Sequence, residues 1–423
     1  MTDLRSSERL RLRQLDRDQL SRYQLARLNQ LLSVVLPSNR FYSERVKDVS
    51  LPLESLEQLS EFPLTTKLDL VGEGQSQLAE NRTYPSDHYV RFHRTSGTSG
   101  KPLGVCDTSV DWHWWIETWQ FVLDAAEVTS HDIAVLAFSF GPFIGFWSAN
   151  DALAYRGAMV VPTGGMSTVA RLRALIQLDA TVLCCTPSYA LHMAQVAAEE
   201  NLDVSRSAIR VIILAGEPGG SISSTRQCIE QQWGARVVDH AGATEIGPWG
   251  YGDAAGRGLH IIESEFVAEF LRPGSDDPAD DGDDAELVLT TLGRTGSPVI
   301  RYRTGDLVRP RHGHPGSARF VMLEGGVVGR VDDMVVVRGV NIYPTAVEQI
   351  VREFPEVGEY RAIATRKGNL DSLTVEIEAP DDTTEQIAAE LYLRLGLKIT
   401  VQAAEAGTLP RFKAKAQRFL DQR

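Results

Sequence analysis

Cysteine is scarce, with four residues in a chain of 423. Cys106, Cys184, Cys185 and Cys228 have no metal-ligand spacing, and a bridge between the adjacent pair would be strained. A disulfide-stapled module is therefore excluded, and the expected state is reduced, mostly buried thiols in a cytoplasmic protein. Long apolar runs are also missing, so no segment is a candidate membrane span. The charged stretch 1–20 lacks the apolar core of a secretory signal. Positive charge is in deficit, 43 Lys plus Arg against 56 Asp plus Glu for a formal charge of -13. That balance repels a phosphate backbone unless a local patch overrides it, so nucleic acid is not an expected partner. Internal repeats and low-complexity linkers are absent too.

What remains is an ordinary globular composition, 43% hydrophobic and 23% charged, and at about 150 residues per domain the length suits two or three domains. Leu10, Leu12, Leu15, Leu20, Leu25, Leu28, Leu31 and Leu32 recur at helical intervals among arginines. They predict an amphipathic helix over 5–36, docked on the body with its arginines in water. From 130 to 240, short apolar runs at 133–138, 158–161, 181–185 and 211–215 alternate with helical segments such as 168–178 and 189–199, the pattern of a buried parallel βαβ sheet. After 260 the strands become short and alternating, at 265–271, 285–290, 299–302 and 318–323, and predict a small antiparallel subdomain. Between 274 and 286 six aspartates lack the spacing and closing Glu of a calcium loop, which leaves a solvated hairpin tip. A boundary near 329–333 separates an α/β domain, 1–329, from a compact α+β domain, 330–423.

The strongest local signal is Arg94-Thr95-Ser96-Gly97-Thr98-Ser99-Gly100-Lys101-Pro102. Alternating hydroxyls and glycines leave backbone N–H groups uncovered, and Lys101 adds a cation, so the loop suits a polyphosphate. It is not a Walker A loop, because Gly97 and Gly100 are too close and Pro102 follows the lysine. Alone, the segment also reads as a plain turn. Further segments follow in order: Ala215-Gly216-Glu217-Pro218, Asp239-His240-Ala241-Gly242-Ala243-Thr244-Glu245, Arg301-Tyr302-Arg303-Thr304-Gly305-Asp306, Gly329-Arg330-Val331-Asp332-Asp333, Arg338-Gly339-Val340-Asn341 and a final Arg411-Phe412-Lys413-Ala414-Lys415. In this order and spacing the chain after residue 35 resembles the adenylate-forming superfamily of acyl-CoA synthetases, and within it the phenylacetate-CoA ligase family.

The resemblance implies an ATP-dependent aryl-acid ligase that forms an aryl-AMP and then an aryl-CoA thioester, with ATP, Mg²⁺ and coenzyme A. It implies that Thr95, Ser96, Gly97, Thr98, Ser99, Gly100 and Lys101 hold the β- and γ-phosphates. Thr244 would bond the α-phosphate or the acid, and Glu245 would carry Mg²⁺. Gly216, Glu217 and Pro218 would form the adenine turn, with Asp239 and His240 beside the nucleotide. Asp306 would accept the ribose hydroxyls and Arg330 reach ribose or phosphate, although in isolation they also fit a turn cap and a surface ion pair. Lys415, favoured over Lys413, would bridge the acid and the α-phosphate during adenylation. Asp332 would be the hinge of a mobile C-terminal domain, whose rotation exchanges Lys415 for the Gly339 loop at the pantetheine tunnel.

The acyl pocket is expected at Phe140, Gly141, Phe143 and Trp147, together with Ala215, Ala241 and Gly242, and suits a flat aromatic acid. His240 reads either as a contact to the acid or as a core histidine. Ala241 stands where the family usually has an aromatic residue, which puts its typical substrate in question. The cysteine cluster that binds zinc in some relatives is missing, so no structural metal is expected. Other readings are transfer of the acyl group to a carrier protein or an amine, and a nucleotide-binding relative without turnover. The resemblance also suggests a homodimer.

Overall fold

The computed structural model describes residues 2–71, 78–95, 102–139, 141–313, 318–338, 340–367, 370–412 and 417–423. Its helices are α1 (Thr2–Arg13), α2 (Arg17–Val35), α3 (Arg40–Arg45), α4 (Lys67–Val71), α5 (Ser109–Ala125), α6 (Ile144–Arg156), α7 (Thr168–Gln177), α8 (Pro187–Glu199), α9 (Ser223–Trp233), α10 (Pro344–Val351) and α11 (Asp381–Leu395). The strands begin with a hairpin-like pair, β1 (Tyr89–Arg94) and β2 (Gly104–Thr108). There follow β3 (Ile133–Leu136), β4 (Met159–Pro162), β5 (Val182–Cys185), β6 (Val211–Ala215), β7 (Arg236–Ala243), β8 (Gly247–Gly252), β9 (Gly258–Ile261), β10 (Phe266–Leu271), β11 (Ala285–Thr291), β12 (Tyr302–Arg311) and β13 (Met322–Arg330). Last come β14 (Val335–Val337), β15 (Val340–Ile342), β16 (Tyr360–Lys367), β17 (Leu370–Ile377), β18 (Thr400–Ala403) and β19 (Phe419–Asp421).

The predicted parallel sheet is present: β4, β3, β5, β6 and β7 lie side by side and all parallel. Alternate residues of these strands face opposite cores, as the two-residue period of a strand requires. Leu136, Cys184 and Ile213 join Trp115, Trp119 and Phe146 on the face of α5 and α6. Leu183, Ile212 and Leu214 join Leu172, Met193 and Ile229 under α7, α8 and α9. The expected antiparallel strands are also present, and they extend the same sheet, so that eleven strands run in the order β10-β11-β12-β13-β9-β8-β7-β6-β5-β3-β4. Two predicted strands are displaced. The one expected at 299–302 starts only at Tyr302, because Arg301 takes a left-handed φ of 47° that breaks extended backbone. The one expected at 318–323 begins at Met322 and runs on to Arg330.

The N-terminal expectation needs two corrections. One helix becomes two, because Asp16 caps α2 in a reciprocal box with Gln19 and stops α1. The arginines do not all face water: Arg9 pairs with Asp124 at 2.6 Å and Arg27 with Glu265 at 2.9 Å, while Arg17 stays exposed and still pairs with Glu263 at 2.6 Å. The helices dock on the body through these pairs as well as through their leucines.

The aspartate-rich stretch is the exposed connection between β10 and β11, as expected. Cys106, Cys184 and Cys185 are buried free thiols and Cys228 is half-buried. Residues from 335 onward gather a separate hydrophobic core around Val347, Ala362, Val375 and Ile387, beneath the four-stranded sheet β18-β17-β16-β19. Among the described residues, no helix is long and apolar enough to cross a membrane.

Candidate active site

The carboxyl ends of β5, β6 and β7 form the floor of the site, the place where open parallel sheets bind ligands. Ala215 and His240 are register partners on β6 and β7. The turn Gly216-Glu217-Pro218 leaves β6 with Gly216 at a φ of 97°, and Glu217 accepts the Ser188 backbone N–H at 2.8 Å at the start of α8. Ala241 and Gly242 lie just before the end of β7 at Ala243, and Thr244 and Glu245 form the turn into β8.

That turn is braced from two sides. Arg294 and Asp107 are a fully buried ion pair, with Arg294 Nε donating to Asp107 Oδ1 at 2.8 Å. The same guanidinium donates to the Thr244 carbonyl at 3.1 Å and lies over the Trp115 ring. On the other side the Tyr302 hydroxyl donates to Glu245 Oε1 at 3.1 Å. Burial, reinforced by Glu245, pushes the Tyr302 phenol far above its ordinary range, so it stays a neutral donor. Asp306 and Arg330 face each other across β12 and β13 and pair at 3.1 Å, and Arg330 also reaches Asp332 at 2.9 Å. Gly305 has a φ of 74°, which favours glycine, and a Cβ there would lie 2.6 Å from Arg330 Nη2 and push the guanidinium from its place.

His240 donates from Nδ1 to the Gly250 carbonyl at 2.8 Å. Its ring meets the Trp119 ring edge-on at 4.7 Å. Burial, partly opposed by that hydrogen bond, lowers it to about 4, so it is neutral at physiological pH, and Nε2 presents its lone pair on the side of Gly242. Asp239 accepts from the Ser221 hydroxyl at 2.6 Å, and burial raises it to about 6. Between the unfolded value of about 3.9 and this raised one, the folded chain holds the extra proton. The group therefore favours folding less as pH rises through that window, and adds no dependence above it. Asp239→Asn should remove this component, visible as a difference in Tm slope between variant and parent at about pH 4 to 6; parallel Tm curves would contradict it.

Thr95 closes the base of its loop, with Oγ1 accepting the Leu103 N–H at 2.9 Å and its own N–H reaching the Leu103 carbonyl. The neighbouring Arg94 N–H binds the Pro142 carbonyl, which joins this loop to the aromatic segment. There Trp147 donates to the Gly141 carbonyl at 2.8 Å, and Phe143, before α6, is 46% exposed. Trp147 and Ala241 pack against the core that contains Trp119. Ser96, Gly97, Thr98, Ser99, Gly100, Lys101, Phe140, Gly339, Lys413 and Lys415 lie outside the described residues.

Sequence reasoning missed Arg294, Asp107, Tyr302 and Ser188 as parts of this site. One signal was available: Gly293 and Gly296 flank Arg294 where a Cβ would strike Trp114 and Asp111, marking a crowded approach.

Residues 33–263 match the AMP-binding enzyme family, and residues 339–423 match the AMP-binding enzyme C-terminal domain. The phenylacetate-coenzyme A ligases of Pseudomonas putida and Escherichia coli (strain K12) are each 30% identical over 96% of this chain and 95% of their own. The fold is that of a 2-hydroxyisobutyryl-CoA ligase in its postadenylation state, with a TM-score of 0.90 at 24% identity over 98% of this chain and 92% of the other. The same ligase in its thioesterification state gives 0.72 over 97% and 91%. The matched length, the near full-length relatives and the shared fold agree, and the chain belongs to the AMP-binding enzyme family.

Proposed function

We propose that this chain is an ATP-dependent, AMP-forming acid–CoA ligase acting on an aromatic carboxylic acid. The observation that carries the reading is the convergence of residues far apart in sequence. The β6 turn leaves the strand beside β7, which leads into the braced Thr244–Glu245 turn, and Tyr302 links that turn to the Asp306–Arg330 pair.

The chemistry joins two anions. A carboxylate oxygen attacks the α-phosphorus of ATP, pyrophosphate leaves, and the acyl-AMP is opened by the CoA thiol with AMP departing. Arg294 holds the Thr244 carbonyl and so fixes the direction in which the Thr244 hydroxyl and N–H point. Tyr302 holds one oxygen of Glu245, and among the described residues the other accepts no hydrogen bond. A half-buried carboxylate of this kind fits Mg²⁺, which takes one or two carboxylates along with substrate phosphates. When bound there, the ion would neutralise phosphate charge. Asp306 suits the ribose hydroxyls, with Arg330 orienting it. Lys415 would deliver a cation to the joining anions. Beside Gly242, His240 Nε2 offers an acceptor suited to an acid that carries a hydroxyl or amino donor.

Glu245→Ala should raise the Mg²⁺ requirement and slow adenylation by about a hundredfold or more, and an unchanged rate would count against metal binding there. The reading as a whole is tested by pyrophosphate exchange into ATP over a panel of aryl acids, with and without hydroxyl or amino substituents, beside aliphatic acids. Exchange that depends on an aryl acid is expected. Silence across the panel would contradict the reading.

A further inference from the structure

A cleft of ≈ 560 Å³ lies between α8, α9 and the segments around Arg352 and Arg411. Arg418 crosses the boundary at a buried point. Arg418 is 8% exposed, and Nε and Nη2 bind Glu359 at 2.7 and 3.2 Å. Its Nη1 reaches Glu348 at 3.3 Å and, across the boundary, donates to the Ser188 hydroxyl at 3.0 Å. The guanidinium lies between the rings of Tyr360 and Phe412, which fix its plane. Glu348, Glu359, Tyr360 and Phe412 all belong to the C-terminal body, so Arg418 is pre-oriented there, and among the described residues Ser188 is its one hydrogen-bond partner on the sheet body.

Ser188 is itself tied to the nucleotide turn, because its N–H binds Glu217. Glu217 and Glu348 lie close enough across the boundary for their charges to oppose each other, and the Arg418 and Arg352 cations offset this. Of the other crossings, Arg411 to Gln195 at 3.2 Å and Ser224 to the Gln349 carbonyl at 3.1 Å are exposed, where hydrogen bonds compete with water and contribute little, and the partly buried bond from the Thr345 hydroxyl to the Val328 carbonyl lies next to the 329–333 boundary.

We infer that Arg418, Ser188 and Glu217 form a latch that holds the C-terminal body in its adenylation orientation, coupling the nucleotide turn to the segment that carries Lys415. Arg418 follows Lys415 by three positions. The latch is a positioning device: it touches no reacting atom, and rotation of the C-terminal body releases Ser188 while the pairs to Glu359 and Glu348 travel with Arg418. The inference rests on the proposed ligase activity for what the two orientations accomplish, but the latch itself is a property of the chain without substrates.

Ser188→Ala removes only the crossing hydroxyl and leaves the C-terminal pairs of Arg418 intact, so it is the informative variant. Spin labels at Val110→Cys on α5 and Leu393→Cys on α11, both well exposed, with Cys228→Ser to remove the half-buried thiol, report the distance between the bodies by electron–electron resonance. In the parent the distribution should centre on the distance in this structure. In Ser188→Ala the population at a second distance should rise about tenfold, as expected for loss of one charge-assisted hydrogen bond. An unchanged distribution overturns the latch whether or not the chain proves to be a ligase. In the active enzyme, Ser188→Ala should slow adenylation about tenfold and leave thioester formation from supplied acyl-AMP unchanged or faster. Equal loss in both half-reactions would also overturn it.

Discussion

Lys415→Ala is expected to abolish acyl-AMP formation while leaving thioester formation from supplied acyl-AMP nearly intact. The asymmetry follows from the charges. In the first half-reaction two anions must meet at the α-phosphorus, and a cation placed between them stabilises the transition state far more than it would in water. A loss of about a hundredfold or more is the usual scale for deleting one such group. In the second half-reaction a thiol meets an activated carbonyl, and under the proposed rotation Lys415 has left the site. Single-turnover measurement of each half-reaction separates the two. Equal loss in both would refute the role, and a larger loss in Lys413→Ala would transfer it to the neighbouring lysine.

Arg294→Ala should damage both stability and adenylation. The variant leaves Asp107 as an uncompensated charge at 0% exposure and removes the donor to the Thr244 carbonyl. Breaking a buried pair by removing one partner costs about 3 to 5 kcal/mol, which should appear as a clear drop in Tm. Arg294→Met combined with Asp107→Leu tests the assignment further. Replacing both charges with apolar groups should restore most of the Tm, because no buried charge is left unpaired. Adenylation should stay impaired, because the Thr244 turn is still unbraced. A single variant with unchanged Tm and unchanged adenylation would contradict both roles.

The fold was most legible where burial is one-dimensional. β6 lies exactly where an apolar run bounded by polar residues placed it, at 211–215, because a strand covered on both faces has no polar face to confuse the pattern. The N-terminal helix break was less legible. Leucine periodicity runs through Asp16, and the capping box with Gln19 outweighs it. The partners of Arg9, Arg17 and Arg27 could not be read locally, since Asp124, Glu263 and Glu265 lie 115, 246 and 238 positions away.

The site divides in the same way. Its contiguous motifs, such as Thr244-Glu245, were visible as segments, because local backbone and side chains act together there. Its supports were not: Arg294 lies 187 positions from Asp107, and Tyr302 lies 57 from Glu245. Tyr302 lies in the same motif as Asp306, and only the tertiary fold shows that its hydroxyl holds the Glu245 carboxylate. Pairings of this kind depend on sheet order, which no local pattern encodes.

The central claim is tested most directly by incubating the purified chain with ATP, Mg²⁺ and a series of aryl acids, with and without coenzyme A, and identifying the products by mass. AMP release stimulated by coenzyme A, with a matching aryl-CoA thioester, is the predicted result. Acyl-AMP that forms but never transfers to coenzyme A, or no AMP with any acid, would contradict it.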